Sequence, residues 1–367
     1  MGKQIDKYIV VSFAKIYLFA LLCFILIFIL IDLFETLDRF IDNRIPASTI
    51  ISYYYYYTPE IIKLVTPVAV LLATLFTAGS MVNYNEIIAV KNTGISLIRF
   101  MLPFLSSGIV ITSFSMYFNN WVVPEANKKK FYIERNLLRK NITTIGLNKL
   151  YFQQSENQFL LIENFREQDL TAEKISLQLY SRDSAVIMLK RIDAKEMKWQ
   201  DNKWILFEAV ERNFTSNYEK LIRHQTIPLD SIKDIERISL KPEQIIRKRL
   251  KPDEMNYGEL EEFISGMIKA GQNTDRQMVD FYSKTAFPFS SIIVIILGIA
   301  VSTYSRQRRG LAMQFGICIL ISFIYLGFSK ISHSFGYNGD LNPLFTAWLA
   351  NLVFAAVGIT LLYRNNY

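Results

Sequence analysis

Six apolar runs, each long enough to cross a bilayer, stand three and three around one long polar stretch. No other feature limits the possible folds as strongly. About 20 apolar residues of helix cross the hydrocarbon of a membrane. A backbone inside lipid must satisfy its own hydrogen bonds, so runs of this length become helices. They lie near Phe13–Leu33, Ile61–Val82, Phe100–Val123, Phe281–Thr303, Leu311–Ser332 and Leu344–Tyr363. The first is too long for a cleaved signal peptide, and no small-residue cleavage site follows it.

The chain is 51% hydrophobic and still 20% charged, so its charge is segregated from its apolar residues. Cys23 and Cys318 both sit inside apolar runs and read as small core residues, not as a disulfide framework. The net charge of +8 marks loops and lipid headgroup contact here, not a nucleic-acid partner.

Orientation follows from Lys and Arg in the short loops. With the N-terminus inside, the inner segments hold Lys3 and Lys7, then Lys91 and Arg99, then Arg306, Arg308 and Arg309, then Arg364. The outer loops hold Arg39 and Arg44, outweighed by Glu35, Asp38, Asp42 and Glu60, and then only Asp340. Both termini are then expected in the cytoplasm, and the long insert outside.

Within the insert the period changes to two. Ile175, Leu177 and Leu179 alternate with polar neighbours, as do Trp204, Leu206 and Val210. Trp199 and Trp204 flank a hairpin turn at Asp201-Asn202. A β-sandwich, a jelly roll or a curled sheet would fit. His224 reads as a surface residue rather than a ligand. Ahead of the strands, Lys128, Lys129 and Lys130 read as a solvated helix face or as contacts to acidic headgroups. Met255, Leu260, Phe263, Ile264, Met267 and Ile268 predict an amphipathic helix returning to span four. The expected fold class is a six-helix membrane protein with an inserted β-domain. Expected boundaries are 1–123 for spans one to three, 124–275 for the insert with its linker helices, and 276–367 for spans four to six. Tyr53–Tyr57 reads as an aromatic belt at headgroup level or as a ligand-facing wall.

The segment joining spans two and three, Asn83–Arg99, is short and mixed in character. Ile87, Ile88 and Val90 predict a short helix over 83–98 lying against the membrane face, with a turn at Asn92-Thr93-Gly94. It would offer Glu86 and Lys91 to a cytoplasmic partner.

No GxxxxGK[ST] loop occurs, and no span holds a carboxylate near its centre. A nucleotide site and a proton relay are thereby unsupported, and no cofactor is expected. If the helices move anything, the work must come from a partner. Lys63, Lys284 and Lys330 fall at one depth near the outer headgroups. They either snorkel to water or form a ring that receives lipid phosphates.

Three stretches resemble the LptF/LptG permease family of the lipopolysaccharide export transporter. They are TPVAVLLATLFTAGSMVNYNEIIAVKNTGISLIRFMLP at Thr66–Pro103, NNWVVPEAN at Asn119–Asn127 and SKTAFPFSSIIVIILGIAVS at Ser283–Ser302. IDKYIVVSFAK near the N-terminus and WILFEAVERNFTS at Trp204–Ser216 stand closer to the LptG branch. The resemblance implies a bacterial inner-membrane permease whose insert is a periplasmic β-jellyroll-like domain. It implies pairing with a second related permease and docking on a cytoplasmic ABC ATPase dimer. Lipopolysaccharide would pass from the outer leaflet to the β-domain and on to periplasmic β-jellyroll bridge proteins. The coupling residues implied are Glu86, Ile87, Lys91 and Gly94. Where the family carries basic residues near the outer ends of spans one and two, this chain has Asp32 and Glu60, with Lys63 one turn on.

Two other classes compete with that expectation. A non-transport scaffold or sensor would use the β-domain to bind a periplasmic partner. A headgroup enzyme would need an acidic or histidine cluster, for which only Asp32, Glu35 and Asp38 offer themselves.

Overall fold

The computed structural model describes residues 2–87, 96–138, 150–155, 157–166, 169–181, 187–200, 203–215, 218–232, 235, 242, 245, 251–269, 272–304 and 310–365. By internal contact the chain divides into a helical unit, 1–140 with 252–367, and a sheet unit, 141–251. The sheet unit is narrower than the 124–275 region drawn from sequence. The helices on either side of it pack with the spans, for reasons given below.

In chain order the helical unit holds α1 (Gly2–Asp42), α2 (Ala47–Asn83), α3 (Leu97–Tyr117) and α4 (Val123–Asn136). After the insert come α5 (Tyr257–Lys269), α6 (Asp275–Tyr304), α7 (Leu311–Tyr337) and α8 (Pro343–Asn365). Among the described residues, six helical stretches are long and apolar enough to cross a membrane: Gln4–Asp42, Ala47–Asn83, Ile98–Arg135, Asp275–Thr303, Ala312–Tyr337 and Pro343–Arg364. Several run far beyond the hydrocarbon. At about 1.5 Å per residue, the 41 residues of α1 extend roughly 60 Å.

The helices at the centre are α2 and α6. In their most apolar windows 72% and 61% of residues are buried, against 6% for α1 and 17% for α7. Small residues let these helices approach closely. A Cβ on Gly298 of α6 would lie 2.8 Å from Thr74 Cγ2 of α2, and one on Gly108 of α3 would lie 2.6 Å from Ile295 Cδ1 of α6. The main apolar core joins Phe13 of α1, Leu71 and Leu75 of α2, Phe104 of α3 and Ile295 of α6.

Helical phase sorts the five tyrosines of α2. Tyr53 is 1% exposed and packs against Phe40, Tyr54 and Tyr57, whereas Tyr55 is 74% exposed. The run is thus partly a packed cluster, not only a belt. Span three does not stop at Val123. A π-helical turn, Phe118–Val122, buries Asn119 and Asn120 and carries the helix on into α4.

Among the described residues, the sheet unit has six antiparallel strands paired in chain order, with β1 and β6 at the edges. They are β1 (Leu150–Ser155), β2 (Gln158–Arg166), β3 (Thr171–Tyr180), β4 (Met188–Gln200), β5 (Lys203–Thr215) and β6 (Tyr218–Pro228). Of the three forms expected, the described strands make the single sheet. Gln200 pairs with Lys203, the register a two-residue hairpin loop produces. Asp201 and Asn202 lie outside the described residues.

One face carries the apolar core, from Leu150 and Phe152 of β1 to Trp204, Leu206 and Ala209 of β5. The alternation through Trp204, Leu206 and Val210 does not hold along all of β5. Glu208 adopts a left-handed φ of 50°, and the pairing passes from Glu196↔Phe207 to Ala194↔Ala209 with the register unchanged, leaving out Lys195 and Glu208. Both strands skip one position of the in–out alternation at this point, so the side-chain phase slips by one residue. Ala209 and Glu211 therefore turn inward and Val210 does not. Lys174, with φ 51°, does the same to β3. The inward Glu211 is met by Lys190 Nζ at 3.1 Å and His224 Nε2 at 3.2 Å. His224 is thus half-buried and bonded to Glu211, not a free surface residue.

Candidate functional sites at the two ends of the helical unit

The chain leaves the helical unit after α4 and returns through a 3₁₀ turn, Pro252–Glu254. Nearly every charged group at this end is paired. Arg135, in the last turn of α4, donates from Nη1 and Nη2 to Glu254 Oε1 and Oε2, both at 3.0 Å. Glu254 is 0% exposed, and a carboxylate so buried needs such a partner. Asn127 of α4 donates to the Asp253 carbonyl at 3.2 Å, and Lys284 of α6 donates to the Met255 carbonyl at 2.8 Å. Lys63 of α2 lies 3.6 Å from Asp253 Oδ1.

Lys63 holds the Asp253 carboxyl below the usual carboxylate range, against the opposing effect of burial and with help from Lys284 and Lys130. The Asp253 side chain is nonetheless 58% exposed.

The basic run of α4 is not a simple solvated face. Lys130 is buried and pairs with Glu60 of α2, while its ammonium lies 4.7 Å from the centre of the Tyr57 ring. Lys128 bridges Glu125 and Glu259 of α5 at 2.7 and 3.0 Å. Glu134 accepts from the Tyr53 hydroxyl at 3.0 Å, and Asp32 accepts from the Tyr54 hydroxyl at 3.1 Å. These bonds are why α4 and α5 belong with the spans. They also give the acidic pair Asp32 and Glu60 partners inside the protein.

Of the three lysines expected to share a depth, Lys63 and Lys284 both act on Asp253. Lys284 is only 8% exposed. Lys330 is exposed on α7, one turn from His333, whose Nε2 meets Ser283 Oγ at 3.3 Å. From sequence alone Asn127, Asp253 and Glu254 have no assigned role, and Arg135 reads only as part of the basic run that begins at Lys128. The available signal was a surplus of cations at this level, which required carboxylates from the returning chain.

At the opposite end α2 stops at Asn83, and Asn85 takes a left-handed φ of 61°, a conformation asparagine tolerates well. Glu86 and Ile87 resume helical geometry. Ile87 is 8% exposed and joins the core that contains Ile9, Phe13, Phe100 and Met101. Lys91 and Gly94 lie outside the described residues. On the far side Ser96 caps α3, its Oγ accepting from Arg99 N at 3.3 Å. Arg99 in turn reaches Asp6 in the first turns of α1. Among the described residues no group of three His, Cys, Asp or Glu is placed to hold a metal.

The family model for the lipopolysaccharide export system permease LptF/LptG matches residues 7–364. The LptG permease protein of Haemophilus influenzae is 19% identical over 311 residues, 83% of each chain. That of Escherichia coli K12 is 19% identical over 315 residues, 84% of this chain and 83% of its own. These matches favour a permease over a scaffold or sensor and support the LptG branch. With six spanning helices, an inserted antiparallel sheet and a match over nearly its whole length, the chain belongs to the LptF/LptG family of lipopolysaccharide export permeases.

Proposed function

We propose that this chain is the LptG-type permease subunit of an ATP-driven lipopolysaccharide exporter in a bacterial inner membrane. The observation that carries this reading is the family match over 7–364 on a body of six spans with an inserted sheet. The Lys and Arg bias of the loops supports a topology with both termini in the cytoplasm and the sheet unit in the periplasm. The chain binds no cofactor. ATP is hydrolysed by a separate ABC ATPase dimer, and a second related permease completes the membrane part.

The ATPase docks on the stretch that contains Glu86, Ile87, Lys91 and Gly94. Ile87 buried in the core, beside a half-buried Glu86, supports this: one residue fixes the stretch while its neighbour offers a charge. Lipopolysaccharide is taken from the outer leaflet and passed to the sheet unit and then to β-jellyroll bridge proteins. Its phosphates meet Lys63 and Lys330, while Lys284 holds the Met255 carbonyl. Lys330 is exposed, and a phosphate at this level competes with Asp253 for Lys63, whose 3.6 Å pairing is loose.

Glu86→Lys tests the reading. It should abolish export and release the co-purifying ATPase while the protein stays folded. Normal export with the ATPase still bound would remove Glu86 from this role. Wild-type protein that purifies without any ATPase would overturn the reading as a whole.

A further inference from the structure

The sheet unit is joined to the helical unit by two stretches of chain, one following α4 and one entering at Pro252. The roots of both are tied to each other. Arg135 stands in the last turn of α4 and Glu254 in the returning turn, and their two parallel hydrogen bonds at 3.0 Å join the outgoing chain to the incoming one. The joint is in turn keyed to the spans. Lys63 of α2 faces Asp253, Asn127 of α4 holds the Asp253 carbonyl, and Lys284 of α6 holds the Met255 carbonyl. Tyr53 of α2 holds Glu134, the residue before Arg135. Three consecutive residues of the returning chain are thus gripped by side chains from three different helices. Two of those helices, α2 and α6, are the central ones.

This is more restraint than a connector needs to stay folded. Surface loops tolerate slack, and their polar groups are satisfied by water. Here Asn127 and Glu254 are each 0% exposed and Met255 is 2% exposed. A fork of Arg onto carboxylate has a fixed geometry, unlike a point charge. Such a joint passes on displacement and rotation instead of absorbing them. Coupling between distant sites is carried by contiguous hydrogen-bond and ion-pair networks on rigid elements.

We propose that Arg135 and Glu254 are positioning residues of the transport cycle: their clamp, keyed by Lys63 and Lys284, transmits movement of α2 and α6 to both connections of the inserted sheet. This inference rests on the reading of the chain as an ATP-driven lipid permease. In that cycle nucleotide acts at one end of the spans and lipid is delivered at the other. The clamp fixes how much of the helical movement reaches the delivery end. It touches neither nucleotide nor the reacting atoms, so it sets lipid delivered per ATP and not the rate of hydrolysis.

The test uses the full-length chain with its co-purified subunits in proteoliposomes loaded with lipopolysaccharide. ATP hydrolysis and lipopolysaccharide released per ATP are measured together for wild type, Arg135→Glu, Glu254→Arg, Glu254→Gln, Arg135→Lys and the reversed double variant. Each single charge reversal should cut lipid per ATP by about tenfold, within the range that network mutations exert on coupling. Hydrolysis should stay within about twofold, because the ATPase end is untouched. Glu254→Gln, nearly isosteric, covers the case in which a reversal does not fold, and it should show the same loss. Arg135→Lys should fall between, since it keeps the charge and loses the fork. The reversed pair should recover most of the ratio. A merely structural role would lower hydrolysis and release in proportion and leave the ratio unchanged, which would overturn the inference. So would a wild-type ratio in Glu254→Gln. A wild-type complex that hydrolyses ATP and releases no lipid would instead overturn the transport reading on which the inference rests.

Discussion

Arg99, in the first turn of α3, forks onto Asp6 in the first turns of α1, with Nη1 to Oδ1 at 3.0 Å and Nη2 to Oδ2 at 2.5 Å. The two residues are 93 positions apart. Both flanks of the 88–95 stretch are therefore tied to the start of α1. Ile87 joins it through the core shared with Ile9 and Phe13, and Arg99 joins it through charge.

If the ATPase docks on that stretch, the Asp6–Arg99 fork fixes the footing of the docking surface. Asp6→Arg should reduce ATPase recovered with the purified permease several-fold, through like-charge repulsion at the footing. The double variant Asp6→Arg with Arg99→Asp should restore it. Quantitative co-purification from detergent checks this. Unchanged recovery with Asp6→Arg would confine the pair to a local role.

Lys130 and Glu60 are a second pair that only the folded chain brings together. Their side chains are 6% and 22% exposed. Removing one partner from a buried pair strands the other charge, whereas replacing both by apolar groups is often neutral. Lys130→Ala should cost about 3 kcal/mol, near the lower limit for breaking such a pair because Glu60 keeps some access to water. Lys130→Met combined with Glu60→Met should come within about 1 kcal/mol of wild type. Thermal unfolding in detergent micelles measures both.

Acid should loosen the returning turn through Asp253. Its folded pKa is lowered, Lys63 being the main cause. A depressed carboxyl contributes stability that is complete above its unfolded pKa of about 3.9 and is lost as the pH falls through the lower folded value. Asp253→Asn should therefore be less stable than wild type near neutrality, and its melting temperature should fall less between pH 5 and strongly acidic conditions. Melting curves across that range decide the matter. Parallel curves for the two proteins would mean that Asp253 does not contribute in this way.

Much of this protein was legible in its sequence because membrane helices obey a local rule. A run such as Phe13–Leu33 has one way to satisfy its backbone in lipid, so the six spans could be marked without knowing their neighbours. The period of two likewise marked strands around Ile175, Leu177 and Trp204. Sequence by itself also carried the family, in the motif from Thr66 to Pro103. It did not carry the phase of β5 beyond Glu208, because a left-handed backbone turn at a non-glycine residue leaves no local trace. Nor did it carry the partners of Lys63, Lys130, Arg135 and Lys284. Their carboxylates and carbonyls lie tens to more than a hundred positions away, at Glu60, Asp253, Glu254 and Met255. A lone charge near a helix end has the same local appearance whether it meets water, lipid or a buried carboxylate. Desolvation decides between these, and only the packing of α2, α4, α6 and the returning turn determines where water is excluded.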